Sequence, residues 1–157
     1  MRRDSRLSVA LHALLHMAHA GLLTSEEMAA QGETNPVVIR RTMAGLRAAG
    51  IVRSEKGHGG GWSLVRGLDR VTLYDVYEAL GEPTILAMGN RTASPGCAVE
   101  KAVNRALKEA FEAAETLLVK ELRAVTLAAL AKDIGPHGRP HGTRGGTHHG
   151  KKKVDHA

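Results

Sequence analysis

The sequence predicts a mainly α-helical protein with one small β-hairpin, arranged as a winged helix-turn-helix followed by a long dimerisation helix. Three observations predict this fold. Apolar residues make up 43% of the chain but aromatic residues only 3%, which favours a helical core built from Leu, Ala, Val and Met. Two short strand-like runs flank the glycine-rich stretch KGHGGGW, and a long amphipathic segment begins near residue 97.

Length and composition limit what kind of protein this is. A chain of 157 residues suggests one domain with an appended tail. No apolar run approaches the ~18 residues that a membrane span needs, so no membrane partner is expected. The N-terminal apolar stretch is interrupted by histidines, so we interpret it as a first helix and not as an export signal. The single cysteine, Cys97, excludes an internal disulfide and fits the reducing cytoplasm.

Three helices are predicted before the hairpin. Segment 5–20 carries an apolar stripe at helical spacing. The second helix begins at Thr24 or Ser25, with two glutamates in its first turn. The third begins after the N-cap Asn35, has proline at its first position and ends at Gly50. The second and third helices with their tight turn form a helix-turn-helix pattern.

A hairpin directly after the third helix is typical of a wing. The predicted strands are Ile51–Ser54 and Trp62–Val65, and we expect Trp62 to turn inward. The predicted organisation follows the chain in four parts. These are a winged helix-turn-helix domain (1–81), a linker loop (82–96), a dimerisation helix with a short C-terminal helix (97–134) and a disordered tail rich in His, Gly and Lys (135–157).

The long helix predicts a homodimer. Its apolar residues recur every three or four positions against a Lys/Glu-rich opposite side, and a small domain does not cover so long a stripe. We therefore expect the stripe to pack on the same helix of a second subunit. The predicted dimerisation residues are Val103, Leu107, Phe111, Ala114, Leu118 and Leu122.

The charge distribution favours double-stranded DNA as the partner. Residues 1–66 contain 9 Lys/Arg against 5 Asp/Glu, whereas residues 67–134 contain 8 against 10. A basic N-terminal half suits a polyanion, although a surface that is merely soluble and basic has the same composition. The predicted DNA-binding residues are Thr34, Asn35, Val37, Val38, Arg40, Arg41 and Arg47 of the third helix, and Lys56, His58, Gly59 and Gly60 of the wing.

Each of these assignments has a plainer alternative. The plainer interpretation of the third-helix arginines is that they are solvated surface charges; the wing that follows favours DNA contact for Arg40 and Arg41, whereas Arg47, later in the helix, is compatible with both. Glycine at a wing tip supplies positive φ and lets a phosphate backbone approach, but an ordinary tight hairpin also uses one or two glycines. Three consecutive glycines beside Lys56 favour nucleic acid.

No catalytic, cofactor or metal site is predicted. The sequence lacks a phosphate-binding loop, H-E-x-x-H and G-x-S-x-G. His12, His16 and His19 are spaced at i, i+4 and i+7, but no carboxylate or thiol supplies a third ligand nearby. We interpret the five tail histidines as part of a solvated polar tail in which Lys151, Lys152 and Lys153 add non-specific DNA affinity.

Three stretches, TNPVVIRRTMAGLRAAGIV, KGHGGGWSLVR and VTLYDVYEALGEP, resemble the Rrf2 family of bacterial winged-helix regulators. The resemblance covers residues 5 to 130. It implies a homodimer whose long helices cross and whose two heads read a pseudo-palindromic operator. Iron–sulfur members of the family carry three cysteines before the long helix, whereas this chain has only Cys97. We therefore predict no iron–sulfur centre.

Cys97 itself has two interpretations. At the N-terminus of the long helix, the dipole and backbone N–H groups favour thiolate, so a redox-sensing thiol is one hypothesis. A small capping residue is the other. The leading functional hypothesis is a homodimeric transcriptional repressor; the alternatives are a protein-interaction adaptor, or a regulator that senses a small ligand.

Overall fold

The computed structural model describes residues 5–83 and 96–134. The predicted disordered tail and most of the predicted linker lie outside the described residues. A 3-10 turn, Leu68–Arg70, precedes the fourth helix. The other elements in chain order are α1 (Arg6–Ala20), α2 (Ser25–Gln31), α3 (Pro36–Ala48), β1 (Val52–Glu55), β2 (Gly61–Leu64), α4 (Leu73–Ala79), α5 (Ala98–Ala124) and α6 (Leu127–Ile134).

Side chains cap three helices as their sequences suggest. Before α2, Thr24 Oγ1 accepts from the backbone N–H of Glu27 at 3.2 Å, and the Glu27 carboxylate accepts from the backbone N–H of Thr24 at 2.8 Å. Thr72 and Asp75 form the same reciprocal box at α4. Asn35 Oδ1 accepts from the N–H of Val37 at 2.8 Å and so caps α3. Each cap satisfies donors that a helix N-terminus leaves unpaired.

The core lies where the wing meets α1, α2, α3, α4 and α6. It is aliphatic and sulfur-rich, as expected from the scarcity of aromatic residues. α3 turns one face inward and leaves its opposite face in solvent, which is what positions the candidate site. The largest fully buried side chains are those of Leu14, Met17, Ile39, Met43, Leu46, Ile51, Val52, Val71, Val76 and Leu127.

The wing is a two-stranded antiparallel hairpin in which Val52 pairs with Leu64 and Glu55 with Gly61. Both strands differ by one residue from their predicted bounds: β1 begins later, at Val52, and β2 begins earlier, at Gly61. Leu23, between α1 and α2, extends this sheet by an isolated bridge to Trp62, with N···O distances of 3.1 and 2.8 Å. Trp62 is half-buried against the core, as expected.

The end of α5 and the start of α6 are attached to the head. Thr126 forms an antiparallel bridge with Thr72, supported by backbone hydrogen bonds from Leu73 N to Val125 O (2.9 Å) and from Leu127 N to Val71 O (2.8 Å). Leu127 is completely buried in the head's core. Among the described residues no helix is both long and apolar enough to cross a membrane.

Candidate nucleic-acid interface

The outward face of α3 is the central feature of the candidate interface. Ile39, Thr42, Met43 and Leu46 fix the helix on the core, so the residues between them point to solvent. Val37 and Val38, in the first turn, are 56% and 40% exposed. The last predicted contacts on this helix, Arg40, Arg41 and Arg47, are all exposed. The first turns of α3 are therefore free to enter a groove.

The two predicted contacts before α3 are less available than its arginines. Asn35 is exposed, but its side-chain oxygen is occupied by the N-cap bond to Val37. Only the amide NH₂ of Asn35 remains free to donate to a base edge or phosphate. Thr34 is half-buried in the turn.

The three arginines of α3 differ in their partners. The Arg40 guanidinium forms a close ion pair with Glu26 of α2. Arg47 donates to Ser54 Oγ at 3.3 Å and lies 6.0 Å from the centroid of the Trp62 ring, so it is directed toward the wing. Arg41 makes no hydrogen bond or ion pair within the described residues. The sequence did not separate Arg40 from Arg41, because Glu26, the partner of Arg40, lies 14 residues away.

The wing glycines are explained by the hairpin itself. Gly57 and Gly59 have φ of 99° and 79°, the left-handed region that glycine enters without strain. A Cβ on Gly60 would lie 2.3 Å from the Glu55 oxygen, and one on Gly61 would lie 2.7 Å from the Leu23 oxygen. Close backbone packing accounts for two of the three consecutive glycines, Gly60 and Gly61. The number of glycines is therefore weaker support for nucleic-acid binding than the sequence alone indicated.

The charged residues of the wing tip remain available. Lys56 and His58 are exposed on either side of Gly57. Arg53 was not among the predicted DNA contacts. It is exposed on β1, donates to Ser63 Oγ at 3.1 Å and pairs with Glu55 at 3.2 Å. Neighbouring residues of a strand point to opposite faces, so Arg53 lies on the outer face of the hairpin because Val52 is buried.

A groove of about 350 Å³ runs beside α3, between α1 and α4. Val37, Val38 and Arg41 form one of its walls. Arg6, at the start of α1, lines the same groove and brings a second guanidinium to it. Arg6 was not among the predicted DNA contacts, because its position in this groove depends on the tertiary packing of α1 beside α3.

The predicted dimerisation stripe lies on an α5 that has no buried residue. Val103 and Leu107 are 49% and 38% exposed, and Ala114 is also exposed. Phe111, Leu118 and Leu122 are half-buried. Several apolar side chains of this helix thus meet solvent within one chain.

Cys97 is the N-cap residue of α5 and is exposed. Its carbonyl oxygen accepts the first helical bond, from Lys101 N at 3.1 Å, while its side chain makes no capping bond. This arrangement leaves the sulfur accessible, and it supplies no further thiol beside it.

A helix-turn-helix with an exposed third helix, a hairpin wing beside that helix and arginine on its outer face define a winged-helix DNA-binding protein. A family model described as Rrf2, iron-dependent transcriptional regulator, matches residues 3–133. The chain therefore belongs to the Rrf2 family of transcriptional regulators, which confirms the resemblance and the predicted fold class. Because the family and its relatives are regulators, this chain is a regulator and not an enzyme.

Individual relatives agree with this membership. The chain is 34% identical, over 134 residues, to YwnA of Bacillus subtilis, named as an HTH-type transcriptional regulator; the match covers 85% of this chain and 97% of YwnA. A crystal structure of a transcriptional regulator from Lactobacillus plantarum is similar with a TM-score of 0.71 at 27% identity, covering 85% of this chain and 92% of that one. The IscR structure from T. potens, at 20% identity and a TM-score of 0.61, covers 90% and 94% and shares the fold.

The family description names iron, and the residues of this chain do not fit an iron–sulfur cluster. Such a cluster takes four protein ligands, mostly thiolates, and the chain has one cysteine. Within residues 5–83 and 96–134, no three His, Cys, Asp or Glu side chains lie close enough together to hold a metal ion.

Proposed function

We propose that this regulator is a homodimer that binds a pseudo-palindromic operator in duplex DNA and represses transcription there. The observation that carries the proposal is the exposed outer face of α3, whose first turns present Val37, Val38 and Arg41. A helix of this kind fits the major groove, where each base pair shows its own pattern of donors, acceptors and methyl groups. We place its action in the cytoplasm, where the DNA target lies.

Arg41 is the proposed base-reading residue. A guanidinium donates two hydrogen bonds to O6 and N7 of guanine, and Arg41 has no partner in the described residues that would compete. The neighbouring Val37 and Val38 offer apolar contact to a thymine methyl. Arg40 must loosen its ion pair with Glu26 before it contacts DNA, so its net contribution is smaller.

The wing supplies backbone contacts in this proposal. Lys56 and His58 lie in the exposed turn, and a lysine ammonium is a point charge suited to phosphate. Gly59 and Gly60 keep the turn free of side-chain bulk, and Arg47 lies on the side of α3 toward the hairpin. Contacts of this kind position the head without reading sequence.

The experiment compares single arginine substitutions on the operator enriched from genomic DNA. Arg41→Ala removes one bidentate contact from each half-site, so it lowers the affinity of the dimer by roughly 30- to 20,000-fold and relaxes preference at one base pair of each half-site. Arg40→Ala is the matched control and lowers affinity by less. Equal affinities of wild type and Arg41→Ala on the same DNA would exclude Arg41 as the reader. Failure to enrich any sequence would favour the adaptor alternative.

Two further measurements test the wing and the direction of control. Lys56→Ala weakens binding uniformly across sequences and reduces the slope of log affinity against log salt by about 2, because the dimer loses one phosphate contact in each wing. Deleting the gene raises transcripts next to the enriched sites if the protein represses. Lower transcripts would show that it activates.

Dimerisation through α5 is the second part of the proposal. Val103 and Leu107 leave apolar surface in water that a crossing copy of α5 would cover. Leu107→Glu places a charge in that contact and converts the dimer to a monomer in sedimentation analysis. Glu112→Lys, on the polar side of α5, is the control and leaves the dimer intact. A wild-type monomer at micromolar concentration contradicts this part.

A redox response at Cys97 remains a prediction. Exposure of its sulfur supports oxidation by peroxide, in which two Cys97 thiols lose two protons and two electrons to form one intersubunit disulfide and two waters. Peroxide is then expected to change operator affinity of the wild type and not of Cys97→Ser. The same response in both proteins would make Cys97 purely structural.

A further inference from the structure

Two histidine rings meet on the outer surface of α1. His12 and His16 are one helical turn apart, their ring centroids are 4.5 Å apart, and their Nε2 atoms are separated by 2.7 Å. His12 is exposed and His16 half-buried. The pair belongs to neither the proposed DNA face nor the α5 stripe.

The distance between the two nitrogens is close to that of a chelate. In the hydrogen-bonded pair one Nε2 donates its proton and the other accepts it. Two imidazole nitrogens each ~2.05 Å from one ion are about 2.9 Å apart at a right angle and about 3.4 Å apart at a tetrahedral angle. Small rotations of the two surface side chains lengthen the Nε2–Nε2 distance from 2.7 Å to these values. The ring that donates in the hydrogen-bonded pair then carries its proton on Nδ1 in place of Nε2.

We infer that His12 and His16 form a two-imidazole chelate for a borderline divalent transition-metal ion such as Ni²⁺, Cu²⁺ or Zn²⁺. Imidazole suits all three ions, and water completes the coordination. The sequence analysis predicted no metal site because a third ligand is lacking, and none is present in the described part of the chain. The two converging rings provide two ligands, so this site binds an ion more weakly than a three-ligand site does. His19, one turn further along α1, is not a ligand.

The position of the pair links the ion to the helix-turn-helix. His12 Nδ1 lies 3.7 Å from the position of a Cβ on Gly32, which ends α2. An ion held by both rings therefore fixes the His12 side chain beside the turn that leads to α3. It also binds the folded chain selectively, because unfolding of α1 separates the two rings.

This selectivity provides the test, since the protein also has five histidines in residues 135–157. Ions bound by histidines that folding does not bring together bind both the folded and the unfolded chain and leave the stability unchanged, whereas a site made only by folding raises Tm. Thermal unfolding of the full chain is followed while free Ni²⁺ increases. Above the Kd of the site, Tm is expected to rise by about 4 °C for each tenfold increase in Ni²⁺.

Matched variants assign the rise to the pair. His12→Ala and His16→Ala each abolish it, and alanine keeps α1 helical. His19→Ala is the control and retains the full rise. The inference is overturned if the wild-type Tm does not change with Ni²⁺, or if the rise in Tm is still present in His12→Ala or His16→Ala.

A second measurement on the wild type does not depend on any variant folding. Paramagnetic Ni²⁺ broadens the NMR signals of nuclei near the bound ion. Broadening of the His12 and His16 ring signals at the lowest Ni²⁺ concentrations supports the chelate. Broadening that begins only in residues 135–157 refutes it.

Discussion

Replacing Gly61 by alanine is expected to destabilise the head even though the residue lies on the surface hairpin. The added Cβ would lie 2.7 Å from the backbone oxygen of Leu23 and 3.0 Å from its carbonyl carbon. Neither atom belongs to a flexible side chain, so the backbone has to move. That movement strains the two hydrogen bonds between Leu23 and Trp62, whose N···O distances are 3.1 and 2.8 Å.

The cost follows from these contacts. Forcing extra volume into a packed site costs about 1–3 kcal/mol. Weakening two backbone hydrogen bonds adds about 1 kcal/mol for each one lost. With one of the two bonds lost, Gly61→Ala is therefore expected to lower the free energy of unfolding by roughly 2–4 kcal/mol. Urea denaturation followed by circular dichroism measures this change as a lower midpoint at unchanged slope.

Gly59→Asn is the matched control. Gly59, unlike Gly61, has left-handed φ, but nothing lies within 4 Å of an added Cβ, and asparagine tolerates this conformation. The control is expected to stay within about 1 kcal/mol of wild type. An unfolding free energy of Gly61→Ala equal to that of wild type would show that the bridge from Leu23 to the wing is not tight, and it would restore a DNA-contact explanation for this glycine.

The remaining predictions concern α6 and the cap of α2. Leu127→Ala is expected to cost about 2–5 kcal/mol in urea denaturation because Leu127 is fully buried, whereas the exposed Ile134→Ala changes little. Thr24→Ala is expected to cost about 1 kcal/mol through loss of the capping box. The backbone N–H and hydroxyl of Thr24 hold the pKa of Glu27 below its usual 4.5, so the cap stabilises above that pH and fades as pH falls below it. Glu27→Gln should flatten this acid loss in Tm-versus-pH curves.

The helices were predictable from the sequence because their signals are local. The caps Thr24, Asn35 and Thr72 and the closing Gly50 depend on neighbours within four residues. The long stripe of α5 repeats often enough to predict a long helix that begins near residue 97, and α5 begins at Ala98. Local signals of this kind survive in any tertiary setting.

The features that the sequence did not predict depend on residues far apart in the chain. Leu23 adds a strand-like bridge to Trp62, and the four residues between α1 and α2 are too few to show a strand periodicity. Gly61 pairs with Glu55 of β1, so β2 begins one residue before its prediction. The partner of Arg40, Glu26, is 14 residues away, so a helical wheel of α3 alone did not separate Arg40 from Arg41.

The attachment of α5 to the head has a consequence for the proposed operator. Backbone bonds join Leu73 to Val125 and Leu127 to Val71, and the Arg123 guanidinium lies 4.3 Å from the centroid of the Tyr74 ring. These contacts lie at the C-terminal end of α5, whereas Leu107 in the predicted stripe is 38% exposed.

If α5 dimerises there, each head is attached to its α5 by the packed contacts described above. Those contacts then set the distance between the two α3 helices of the dimer. We therefore expect a fixed half-site spacing in the operator. Inserting five base pairs between half-sites, which turns one by half a helical turn, should abolish high-affinity binding, and undiminished binding would show that the joint bends.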